Sequence, residues 1–165
     1  MILALLLLAA PPAVGEEAPK QTPQPALLEA FRAFCLAGYD PAALEPAAVA
    51  AGFHSVSVRP TWNETGAWER DGLRVFSRSV GNGPQSPALC GVSANIARLG
   101  QDDALLDPVA GMAEFAFIEG NPGAPHSDWI IAGRKRFVRV SIDRSDPANV
   151  DVILTAQLWP QESGK

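Results

Sequence analysis

The closing third of the chain constrains the fold most. Trp129 to Ala132, Phe137 to Asp143 and Val150 to Leu158 are β-branched and aromatic runs separated by AGRKR and RSDPANV. Both separators read as plausible reversals between strands. Strands joined by connections that short run antiparallel, because a parallel neighbour requires a crossover of a dozen residues or more.

Upstream, three more segments alternate with a period of two. Phe53 to Arg59 (FHSVSVR) sets Val56 and Val58 against Ser55, Ser57 and Arg59; Gly72 to Val80 (GLRVFSRSV) sets Leu73 and Val75 against Arg74 and Arg78. Pro87 to Ala94 (PALCGVSA) places Cys90 and Val92 on one face, and GNGPQSP supplies the turn before it. Thr61 to Trp68 (TWNETGAW) reads as a polar turn between the first two strands, flanked by Trp62 and Trp68.

Helical spacing governs the earlier part. In ALLEAFRAFCLAG, Leu27, Phe31, Phe34 and Cys35 form one stripe, so Cys35 points to the core and Gly38 ends the helix. Asp40-Pro41 opens a second helix, Pro41 to Ala51, with Asp as N-cap and Pro at the first helical position. Asp107-Pro108 repeats that logic and predicts a short middle helix from Pro108 to Phe117; Gly111 weakens it, and the Phe-Ala-Phe alternation reads equally as strand. The expected architecture is α+β: an antiparallel sheet of about five or six strands, with the N-terminal helix pair and the middle helix on one face.

The chain opens MILALLLLAAPPAVGEEAPK, whose apolar run from Ile2 to Ala10 falls short of the roughly 20 residues needed to span a bilayer. Residues 1–15 therefore read as a signal peptide cut after Gly15, although no Lys or Arg precedes the apolar run. Residues 16–25 read as a flexible, proline-rich leader, residues 26–160 as a single domain and residues 161–165 as a disordered tail. The expected location is periplasmic or secreted, with no integral membrane association after cleavage. With 13 basic against 18 acidic residues the chain lacks the positive excess that a phosphate backbone demands, so nucleic acid is not an expected partner.

Two cysteines in an oxidising compartment most simply form one bridge. Joining Cys35 to Cys90 would tie the first helix to the third strand and lower the unfolded-state entropy by about 4 kcal/mol. Other uses are weaker. Cys35 lies near the C-terminal end of its helix, where the dipole disfavours a thiolate, and Cys90-Gly91 has no flanking nucleophile motif. Two Cys with His54 and His126 match no zinc spacing. No cofactor or metal is expected.

His126, Ser127 and Asp128 are adjacent in NPGAPHSDW, and neighbours in a chain cannot converge as a triad does. His54 reads as a residue at the edge of the core. Asp102, Asp103 and Asp107 lack calcium-loop spacing and suit a helix start. Two surface features suggest binding: Trp62 with Trp68, and the basic group Arg134, Lys135, Arg136 and Arg139 on an acidic protein, which suits an anionic ligand or partner. The bland alternatives are tryptophans folded back over the sheet and a solvated hairpin tip.

FRAFCLAGYDPAAL, followed by AAVAAGF and then a strand-borne CGVSAN, resembles small exported proteobacterial proteins of uncharacterised function over Phe31 to Asn95. Those proteins typically carry an F-x-x-x-C helix after a signal peptide, an A-x-x-x-G[FW] segment and a second Cys before Val in a later strand. The resemblance implies an α+β domain and the Cys35–Cys90 pairing, and transfers no catalytic residue. The sequence therefore points to an exported, disulfide-stapled, non-catalytic binding or accessory module whose partner is a protein or a small anionic ligand. The rival is a small periplasmic hydrolase using Cys90, or His126 with Asp128.

Overall fold

The computed structural model describes residues 21–37, 39–80, 88–97, 99–123, 125–133, 136–146 and 148–158. Among them eight strands form one antiparallel sheet: β1 (His54–Ser55), β2 (Glu64–Arg70), β3 (Leu73–Ser79), β4 (Ala88–Ile96), β5 (Phe115–Asn121), β6 (His126–Gly133), β7 (Arg136–Asp143) and β8 (Val150–Leu158). The spatial order β1-β2-β3-β4-β8-β7-β6-β5 is two meanders joined where β4 pairs with β8, from Cys90 opposite Ala156 to Ile96 opposite Val150.

Register aligns the apolar positions across the seam. Val75 faces Val92, Val92 faces Leu154 and Leu154 faces Val140, giving a row of four side chains with no solvent exposure. Burying such a side chain is worth roughly 1.5–3 kcal/mol, so a one-residue slip of any of these strands would be strongly penalised. Helices α1 (Gln24–Phe31), α2 (Pro41–Ala50) and α3 (Asp103–Ala113) cover this face, inserting Leu27, Phe31, Leu44, Leu105 and Val109 into the same core.

The α+β class and the antiparallel sheet match expectation, but the sheet has eight strands rather than five or six. The first addition, β2, occupies ETGAWER, where a polar turn was expected. Its charges are tolerated because Arg74 on β3 pairs with both Glu64 and Glu69, while Trp68 supplies an apolar core contact. The second, β5, takes the Phe-Ala-Phe alternation that competed with the middle helix. That helix starts at Asp103 instead of Pro108 and ends at Ala113, where Glu114 adopts φ 51° and turns the chain.

Pro108 is thus interior to α3, a position that removes the hydrogen bond to the carbonyl four residues earlier. The orphaned acceptor is Ala104, and Gln24 Nε2 supplies it at 2.7 Å from α1. Asp40 caps α2 as expected, accepting from the Ala42 N–H at 2.9 Å.

The first helix also differs in detail. It passes after Phe31 into one π-helical turn, Arg32–Leu36, in which Cys35 is buried. Arg136 Nη1 reaches the open end of that turn and donates to the carbonyls of Cys35 at 3.3 Å and Leu36 at 2.6 Å. A cation there also complements the negative end of the helix dipole.

Cys35 and Cys90 form a disulfide, with Cα atoms 5.3 Å apart across a separation of 55 residues. The bridge ties the π-helical turn to β4. At the start of the chain the leader boundary moves: Thr22 is buried and its N–H donates to Asn95 O at 2.8 Å, so residues 21–25 belong to the fold rather than to a flexible segment. The signal-peptide reading, the leader up to residue 20 and the tail at 161–165 lie outside the described residues. Among the described residues no helix is long and apolar enough to cross a membrane.

Candidate functional site

Because side chains alternate along a strand, the face opposite the helices carries a second, mostly polar set. From β3 it receives Arg74, Phe76 and Arg78, and from β4 Ser93 and Asn95. From β8 come Asp151, Ile153 and Thr155, and from β7 and β6 come Arg139, Ser141 and Asp128. Among the described residues no helix packs on this open face. A strap made of Arg59 and the 3₁₀ turn Pro60–Trp62 lies over it.

The strap is fixed by named contacts. The Arg59 N–H donates to Glu64 Oε2 at 2.6 Å, and Arg78 Nε donates to the Trp62 carbonyl. Asn63, at φ 52°, turns the chain back into β2. The Trp62 ring meets Phe76 edge-on, with centroids 6.5 Å apart, and the Arg59 guanidinium sits 4.9 Å from the Trp62 centroid. Phe76 is fully buried beneath Trp62 because Gly91 on β4 leaves room for it; a Cβ there would lie 2.2 Å from Phe76 Cζ.

Three clefts open around this strap, with volumes of about 330, 220 and 300 Å³, and Trp62 and Ile153 border all of them. In the first, Asn95 Nδ2 donates to Asp151 Oδ1 at 3.0 Å, while the buried Asn95 Oδ1 has no partner among the described residues. Beside it, Arg74 joins Glu64 and Glu69, each at 2.6 Å. Burial alone would lower the Arg74 pKa, but hydrogen bonds and charge from the two glutamates outweigh it and hold the pKa above its ordinary value.

The second cleft is lined by Trp62, Arg78, Arg139, Ser141, Ile153 and Thr155. The third carries His126, Asp128, Asp143 and Asp151. Asp128 accepts from the Ser141 hydroxyl at 2.5 Å and from Arg139 Nε at 3.1 Å. The Ser141 hydrogen bond, reinforced by Arg139 and opposed by burial, holds the Asp128 carboxyl below the usual carboxylate range.

The residues singled out in the sequence are divided between the two faces. Trp62 belongs to the open face, whereas Trp68 is buried in the helix-side core, so the two tryptophans form no common surface. Arg139 lines the open face, and Arg136 caps the π-helical turn; Arg134 and Lys135 lie outside the described residues. His54 is exposed on the edge strand β1.

The sulfur of Cys90 is bonded to Cys35 and offers no thiol nucleophile. His126 Nδ1 stands 3.2 Å from Asp143 Oδ1, on an exposed rim, while Ser127 is buried and accepts from Arg144 Nη1 at 3.3 Å. Ser127 thus alternates to the opposite face from His126 and Asp128, and the three build no triad. Asp102 is a polar hub: it accepts from Trp129 Nε1 at 2.8 Å and pairs with Arg144, whereas Asp103 and Asp107 are exposed. Among the described residues no group of three or more His, Cys, Asp or Glu is placed to hold a metal ion.

Arg78, Asn95, Ser141, Ile153 and Thr155 were not anticipated as site residues. Their period-two positions were visible in the sequence. Their convergence depends on β4 lying beside β8, a pairing between segments more than fifty residues apart. Fold and site together define a disulfide-stapled α+β protein with one helix-covered sheet face and one open, strapped face. No protein-family model, curated protein or solved structure matches the chain.

Proposed function

We propose that the protein is an exported, non-catalytic binding module that uses the open face of its sheet as the ligand surface. The observation carrying this reading is that Trp62 and Ile153 border all three clefts, so that they run as one groove beneath the strap. Its lining mixes polar groups with the apolar Trp62 and Ile153, converging polar groups are what fix a ligand's orientation in a small-molecule site, and two of the three clefts reach the lower edge of the usual volume range.

Export is supported by the bonded cysteines, which suit an oxidising compartment, by the apolar run of residues 2–10, and by the resemblance of Phe31 to Asn95 to small exported proteins. The disulfide and the helix layer hold the sheet rigid, which suits a pre-formed site.

Ligand-observed NMR of the purified full-length protein against a small-molecule extract of the cell envelope tests this reading. Trp62→Ala and Ile153→Glu, each verified as folded by thermal melt, should lose signals that the wild type shows. Identical binding profiles for the wild type and both folded variants would overturn it.

A further inference from the structure

The groove is electrically polarised. Among the described residues no carboxylate lines the second cleft, which instead carries two guanidinium groups and two hydroxyls, from Arg78, Arg139, Ser141 and Thr155. The adjoining third cleft shares Arg139 and Ser141 with it but adds His126 and three carboxylates, Asp128, Asp143 and Asp151, so among the described residues Arg78 is the cation that distinguishes the second cleft.

Arg78 comes from β3 and Arg139 from β7, with β4 and β8 between them, so the two long side chains lean over the intervening strands from opposite sides. Among the described residues the bonded atom in each is Nε: Arg78 donates to the Trp62 carbonyl and Arg139 to Asp128. Anchoring a guanidinium through Nε fixes its plane without consuming the terminal nitrogens, which are the fork that grips a planar or tetrahedral oxyanion. The charge of Arg139 is largely met by Asp128, but among the described residues Arg78 forms no ion pair. One positive charge therefore faces this cleft in a chain whose net charge is −5.

Resting on the binding-module reading, we propose that this cleft is an oxyanion subsite for a small organic acid. A carboxylate, phosphate monoester or sulfate ester would sit between Arg78 and Arg139, with Thr155 as a further donor and the apolar body against Trp62 and Ile153. The acidic third cleft sets the orientation: the anionic group lies toward Arg78, and hydroxyl or ammonium substituents lie toward Asp143 and Asp151.

Titrating the full-length ¹⁵N-labelled protein with phenyl phosphate, benzoate and the neutral isostere benzamide, and following the Trp62 indole N–H, tests the assignment. The two anions should shift that resonance saturably, and benzamide should bind at least tenfold more weakly. Arg78→Gln and Arg139→Gln should each weaken the anions at least fivefold and narrow their preference over benzamide, while Arg78→Lys retains intermediate affinity. Equal affinity for benzamide, or anion binding unmoved by both Gln variants, would overturn the oxyanion subsite and leave the open-face reading standing. No saturable Trp62 shift with any probe would also overturn the subsite, and the extract experiment would then decide separately whether the open face binds at all.

Discussion

Arg74 Nη2 and Glu64 Oε2 stand 2.6 Å apart, with side chains only 8% and 0% exposed. Glu64 also accepts the Arg59 N–H, so this ion pair connects the sheet to the strap. A buried charge left alone costs far more than a pair contributes. Arg74→Met should therefore lower stability by about 3–5 kcal/mol. Adding Glu64→Gln, which keeps an acceptor for Arg59 while removing the charge, should recover a large part of that loss. Urea denaturation of the two variants checks this, and a double variant no more stable than Arg74→Met would contradict it.

Gly91 and Phe76 are coupled by shape. Gly91→Ala places a methyl group within 2.2–2.8 Å of three Phe76 ring atoms, and Phe76 is pressed beneath Trp62. Overpacking of this kind costs about 1–3 kcal/mol. The substitution should also shift Trp62 fluorescence, because the ring it rests on must move. An unchanged emission spectrum in a destabilised variant would mean that Phe76 relaxes without moving the strap.

The disulfide yields a chemical test. Protein recovered from an exporting host and denatured without reductant should show no titratable thiol, and two after reduction, matching the bonded pair Cys35 and Cys90. Cys35→Ala with Cys90→Ala should cost about 2–5 kcal/mol. Mass spectrometry of the same material should find an N-terminus at Glu16. Two free thiols without reductant, or an intact Met1, would remove the support for an oxidising destination.

Acid sensitivity should centre on Asp102. Burial opposes its ionisation, but hydrogen bonds from Trp129, Ser127 and Arg144, together with the Arg144 charge, prevail and hold its carboxyl below the usual range. Its folded value thus lies beneath the unfolded value of about 3.9. The resulting stability is fully present above that unfolded value and fades as pH falls through the lowered one. Asp102→Asn should be less stable than wild type by about 1 kcal/mol near neutrality, and the gap should close as pH falls below the unfolded value. Thermal melts across that range would expose a constant gap, which would exclude the ionic origin.

The helix stripe with Cys35, the Asp40 cap, the alternation in β3 and β4 and the β-branched runs of β7 and β8 were readable because each depends on neighbours within a few residues. What escaped depended on distant partners. ETGAWER looks like a turn until Arg74 is placed beside Glu64 and Glu69. Pro108 looks like a helix start until Gln24 arrives to satisfy Ala104. Trp62 and Trp68 look like a pair until a β-bulge after Glu64 and the strap between Arg59 and Trp62 send them to opposite sides of the sheet. The groove was hidden for the same reason: its walls meet only once β4 and β8 are neighbours.

The strap is held at both ends by main-chain atoms, the Arg59 N–H and the Trp62 carbonyl, gripped by side chains of the sheet. Pro60 and Thr61 between them are exposed and take no part in either grip. Their identity is therefore decoupled from foldability, and a library randomised at these two positions should retune what enters the groove while the scaffold stays constant.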